Sequence, residues 1–118
     1  MQQNKLGQWA EELAHIYLCK QGLQPVTRNY RCKAGEIDLI MLDKKTLVFI
    51  EVRYRKSKRY GGSVESIDIN KQQRIMTTAT RYLQSKKLDQ QCRFDVVLID
   101  GMVEKPKLNW IKDAFREE

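Results

Sequence analysis

Asp38 and Glu51 stand in two neighbouring segments, residues 36–42 and 47–55, both rich in β-branched and apolar side chains. A polar stretch, Asp43-Lys44-Lys45-Thr46, joins them. Strand side chains alternate between faces. Glu36, Asp38, Ile40 and Leu42 therefore share one face of the first segment. Leu47, Phe49, Glu51, Arg53 and Arg55 share one face of the second. A hairpin turning at Lys44-Lys45 sets Leu42 opposite Leu47, Ile40 opposite Phe49, Asp38 opposite Glu51 and Glu36 opposite Arg53. Such a face is apolar near the turn and charged at its far end, as a cleft at the edge of a core would be.

Directly opposed cross-strand residues have Cβ atoms roughly 4.5–5.5 Å apart, and like charges there repel. Two carboxylates so placed need a counter-charge. One source is a divalent cation such as Mg²⁺ or Mn²⁺, which takes hard oxygen ligands from one or two carboxylates and completes its shell with water and phosphate. The other is a structural ion network with Arg53 and Arg55. The pattern leaves both open. A basic cluster follows: Arg53, Arg55, Lys56, Lys58 and Arg59, interleaved with Tyr54 and Tyr60. Such a run can follow a phosphate backbone while Tyr60 stacks on a base. The alternative is a solvated loop.

The elements that must position these residues follow from periodicity. Residues 6–21 read as an amphipathic helix with Leu6, Trp9, Ala10, Leu13, Ile16 and Tyr17 as its apolar stripe, ended by Gly22. Glu12 and His15 fall on its polar face, and Glu11 falls at the border beside Ala14 and Leu18. Residues 26–31 form a first strand, 32–35 a turn, and 36–42 and 47–55 the hairpin. A polar loop spans 56–66. Helix caps are available around 68–70. A helix then runs to about residue 86 on Ile75, Met76, Ala79, Tyr82 and Leu83. Residues 94–99 form another strand, and the tail, 108–115, a short strand and a last helical turn. Three strands with short connections form an antiparallel meander. A strand returning through a helix pairs in parallel with an earlier one. The expectation is an α/β fold in the order αβββαβ plus a short tail: one mixed sheet flanked by helices, as a single domain over residues 1–118.

The 118 residues carry a formal net charge of +7. That balance suits a polyanionic partner, since each neutralised phosphate releases counterions. No segment approaches the ~18 apolar residues that span a bilayer, and residues 1–14 have no continuous apolar core of a secretory signal. A cytoplasmic protein without membrane contact is expected. Cys19, Cys32 and Cys92 are odd in number and widely spaced, which argues against a disulfide framework or a structural zinc site and for buried, inert thiols.

Gly35-Glu36-Ile37-Asp38-Leu39-Ile40 followed by Val48-Phe49-Ile50-Glu51-Val52-Arg53 resembles the split PD-(D/E)xK nuclease signature. More narrowly, the chain resembles the YraN family of small bacterial proteins, which are assigned a restriction-endonuclease-like fold and are similar to archaeal Holliday-junction resolvases. The likeness continues through Gly7…Ala10-Glu11…Ala14, Arg28-Asn29-Tyr30-Arg31, Lys71, Ala79…Tyr82-Leu83, Arg93-Phe94-Asp95-Val96-Val97 and Trp110…Ala114-Phe115.

The resemblance implies a metal-dependent endonuclease acting on DNA, with branched DNA among the substrates it suggests. Asp38 and Glu51 would hold Mg²⁺ or Mn²⁺, Glu11 would be an auxiliary acid, and Lys71 would point from the second helix toward the cleft. Gly35 would serve the tight turn. Glu36 is either a site residue or the ion-pair partner of Arg53. Resolvase-like relatives are dimers, so a homodimer is compatible. One position departs from the pattern. Arg53 stands where the signature has lysine; it keeps the charge and can grip phosphate with two donors, but it cannot accept a proton. The alternative function is therefore a nucleic-acid-binding module that cleaves weakly or not at all.

Overall fold

The apolar runs and turns of the sequence close into one mixed sheet between two helices. A computed structural model of the chain describes residues 3–55 and 67–117. Among these the elements are α1 (Gln3–Lys20), β1 (Gln24–Cys32), β2 (Gly35–Asp43), β3 (Thr46–Arg55), α2 (Ile69–Lys86), β4 (Cys92–Met102) and β5 (Lys105–Ile111). The five strands lie in the order β1-β2-β3-β4-β5. β1, β2 and β3 form the expected antiparallel meander, and β4 returns through α2 to pair in parallel with β3. The tail forms the expected strand, β5, antiparallel to β4 and beginning earlier than expected, but among the described residues no helical turn follows it. The reason is polar: Asp95 on β4 captures the Trp110 indole N–H and the Asp113 backbone N–H, each at 2.9 Å, and ties the segment down as a strand and turn.

Each face of the sheet has its own core. On the α2 side Ile40, Leu47, Phe49, Val96 and Leu98 pack with Ile75, Ala79 and Tyr82. On the α1 side Leu39, Met41, Val48, Ile50, Val97 and Ile99 pack with Ala10, Ala14 and Leu18. The buried line of α1 is thus rotated from the expected stripe: Ala14 and Leu18 are fully buried, whereas Ile16 is exposed. Two alanines at the contact let the helix lie close to the sheet, and the rotation carries Glu11 inward. On α2, Thr78 joins the expected stripe as a fully buried residue whose hydroxyl donates to the Arg74 carbonyl at 2.7 Å.

Besides the bulge between Pro25 and Thr27 on β1, strict alternation fails beside the carboxylates. Leu39 and its cross-strand neighbour Arg28 face α1, where Arg28 reaches Glu12 at 2.7 Å. Two residues along, the pair Tyr30–Ile37 faces α2 instead. Both strands therefore change face at the intervening positions, Asn29 and Asp38. Asn29 has φ +52°, a left-handed conformation that asparagine tolerates better than most residues. A glycine assists beyond the break. A Cβ on Gly35 would come within 3.2 Å of Thr78 Oγ1 and 3.6 Å of Arg74 Cβ, so glycine lets the β1–β2 turn seat directly on α2.

Candidate active site

The change of face delivers Asp38 to the place where β2 and β3 part. Their ladder follows the expected register from Asp43–Thr46 to Leu39–Ile50 and ends there. Beyond it, Asp38 Oδ2 accepts the backbone N–H of Val52 at 2.8 Å. Asp38 and Glu51 thus meet through their side chains, by a hydrogen bond between the carboxyls, rather than as an ordinary ladder pair. Burial pushes the Asp38 carboxyl up to about 8, and the charge of Glu51 adds to this while the Val52 N–H opposes it. An acid so shifted carries the proton that the shared hydrogen bond requires.

The direct cationic partner of Glu51 is Lys71. Its Nζ lies 2.8 Å from Glu51 Oε2, and the Glu51 side chain is only 5% exposed. Local structure fixes this lysine. Asp68 is the N-cap of α2, and its carboxylate accepts the Lys71 backbone N–H at 2.8 Å.

Glu11 arrives from α1. Burial raises its pKa, a hydrogen bond from Asn29 lowers it, and Glu36 and Glu51 raise it further by charge repulsion. Glu11, Asp38, Glu51, Arg53 and Lys71 together line one open cleft of about 310 Å³, closed along its sides by Gly7, Ala10, Val52 and Tyr54. The five residues named as catalytic candidates from the sequence are therefore brought together by four elements, α1, β2, β3 and α2.

Other expectations are redirected. Glu36 pairs with Arg31, its neighbour on β1, at 3.3 Å. The register that would set it opposite Arg53 has already ended. Arg55 forms an ion pair with Asp100, its register partner on β4, with Nη2 2.7 Å and Nε 3.1 Å from Oδ1. Its side chain is 16% exposed, so it serves the β3–β4 junction more directly than a phosphate track. Lys56, Lys58, Arg59 and Tyr60 lie outside the described residues. The three cysteines are free but half-buried rather than buried. Sequence reasoning missed Asn29 and the Val52 N–H. The tolerance of asparagine for left-handed backbone was the available signal for the first; a backbone donor leaves no signal in side-chain types.

The donor set suits a hard divalent cation: two carboxylates in contact, with an open mouth from which water and phosphate oxygens can complete a shell. Among the described residues no three His, Cys, Asp or Glu side chains are grouped tightly enough to hold an ion by themselves. Any ion here would rest on Asp38 and Glu51.

Residues 10–99 match the uncharacterised protein family UPF0102. The chain belongs to this family. UPF0102 is the YraN family whose motifs the sequence resembles. A UPF0102 protein of Psychromonas ingrahamii is 49% identical over 114 residues, covering 97% of this chain and 92% of the relative. One from Colwellia psychrerythraea is 46% identical, covering 92% and 87%. One from Pseudomonas putida is 48% identical, covering 94% and 92%. The UPF0102 match includes all five cleft residues. No helix among the described residues is long and apolar enough to cross a membrane.

Proposed function

We propose that this UPF0102 protein is a metal-dependent phosphodiesterase of the nuclease type, acting on DNA through the cleft between α1 and the N-terminus of α2. The observation that carries the reading is the contact triad Asp38–Glu51–Lys71, two carboxyls and an ammonium lining one open cleft. Asp38 and Glu51 would hold Mg²⁺ or Mn²⁺. Bound there, the ion would polarise the phosphate and lower the pKa of a water nucleophile. Lys71 neutralises Glu51 and sits where negative charge develops on the phosphate oxygens. Arg53, on the cleft wall, grips phosphate without taking up a proton. Glu11, with its raised pKa, is placed to orient a water molecule or exchange a proton with it. Lys71 thereby supplies from α2 the ammonium that the strand signature lacks at position 53.

A second reading is a nucleic-acid-binding module with little or no cleavage. It is favoured by the Lys71–Glu51 contact itself, because an ammonium already satisfies the carboxylate that a metal would need.

One set of incubations tests both. Labelled duplex, single-stranded and four-way-junction DNA are each mixed with the pure protein and Mg²⁺ or Mn²⁺. Cleavage that falls about 10²-fold or more in Asp38→Asn supports the enzyme. Salt-sensitive binding without cleavage supports the module. Neither binding nor cleavage at low salt overturns both.

A further inference from the structure

We propose that the outward face of α2, together with the β1–β2 turn, is a second phosphate-tracking surface that carries the nucleic-acid strand away from the cleft. The inference rests on nucleic acid being the partner and adds where its backbone runs.

The first observation is the helix's composition. α2 has 18 residues, with Lys71, Arg74, Arg81 and Lys86 as its charged members and no Asp or Glu among them. A merely solvated helix gains from opposite charges at i,i+4 spacing. This one forgoes every such pair and accepts self-repulsion.

The second is geometry. Asn70, Arg74, Thr77, Arg81 and Gln84 are all exposed, and their steps of four, three, four and three residues put them along one side of the helix. The opposite side holds the buried Ile75, Thr78, Ala79 and Tyr82. At a rise of about 1.5 Å per residue, Arg74 and Arg81 stand roughly 10 Å apart on that line. Among the described residues neither forms an ion pair.

The third is the wall beside the line. Gly35 seats the β1–β2 turn against α2, leaving a shallow groove of about 390 Å³ lined by Ala34, Asn70, Gln73, Arg74 and Thr77. Lys33 on the turn is exposed, and Arg31 is 74% exposed although it pairs with Glu36. Asn70, at one end of the groove, is the chain neighbour of Lys71 in the cleft. Cationic and amide side chains along a shallow groove, with no acid on the helix, match a polyanionic backbone and contribute no base reading.

The test is the binding of a labelled DNA duplex about three turns long, followed by fluorescence anisotropy in EDTA between ~50 and ~200 mM salt. The double variant Arg74→Gln/Arg81→Gln is compared with wild type and with Lys44→Gln/Lys45→Gln, which removes equal charge at the β2–β3 turn. The expected result is affinity about tenfold weaker and a salt slope shallower by about 2 for the α2 variant alone. Both arginines are exposed, so its thermal melt should match wild type. Wild-type affinity and slope in the α2 variant overturn this inference and leave the proposed function standing. Equal losses in the β2–β3 variant also overturn it, by reducing the effect to net charge. Absence of wild-type binding overturns this inference together with the nucleic-acid reading beneath it.

Discussion

Lys71 answers the counter-charge question at Glu51. Its removal should therefore affect more than charge. Lys71→Ala is expected to lower DNA cleavage about 10²-fold, with partial recovery in Lys71→Arg, measured as single-turnover rates on the best substrate from the incubations above. Unchanged rates in Lys71→Ala would remove the lysine from the chemistry. Asp38 offers a stability readout that needs no substrate. Its pKa is raised from an ordinary 3.8 to about 8 on folding, chiefly by burial and then by Glu51. The folded protein binds this proton more tightly than the unfolded chain, so the stabilisation is complete below the unfolded pKa and is lost as pH rises through the folded one. In EDTA the melting temperature should fall between about pH 4 and about pH 8, and Asp38→Asn should flatten that fall and raise stability at neutral pH. The same slope in Asp38→Asn would show that another group carries it.

At the scale of elements, β4 and β5 are joined by a polar lock. Asp95 is fully buried and accepts two hydrogen bonds from Arg93, one from Trp110 and one from the Asp113 backbone, all at 2.9 Å. Arg93 also reaches Asp43 at the end of β2, at 3.1 Å. Removing the carboxylate strands a largely buried guanidinium, so Asp95→Ala should cost about 3 kcal/mol in urea unfolding. A cost below about 1 kcal/mol would mean the tail docks by packing alone. This lock holds the segment after β5 as a turn where the sequence suggests a helical one. That segment looks terminal and weakly structured until the distant Asp95 supplies its partner. The meander, the parallel return and the hairpin register were legible, because apolar runs and a two-residue turn dictate them. The register could be carried correctly only to Leu39–Ile50. Ile37, Leu39, Ile40 and Met41 are all apolar and all buried, so nothing in their types reveals a change of face between them. Asp38, Glu51 and Arg53 were legible by type and spacing, and Glu11 and Lys71 only through the family resemblance; the contacts of Asn29 with Glu11 and of Asp68 behind Lys71 depend on backbone conformation and were not.

For the whole molecule, the net charge of +7 sets how binding responds to salt. With three or four phosphate contacts, DNA affinity should drop roughly 40–150-fold between ~50 and ~200 mM salt. A flat profile would point to recognition without backbone contacts. The cleft lies where the two layers of the fold meet, and the paired reversal at Asn29 and Asp38 makes that meeting possible. Before the reversal the pair Arg28–Leu39 faces the α1 layer; two residues on, the pair Tyr30–Ile37 faces the α2 layer. A strand that reverses alone would send one of these side chains into the wrong layer and break its match with the other. Asn29 and Asp38 therefore act as a single structural unit. Across UPF0102 relatives the two positions should be retained together or replaced together, and a lineage that has lost one should have lost the cleft with it.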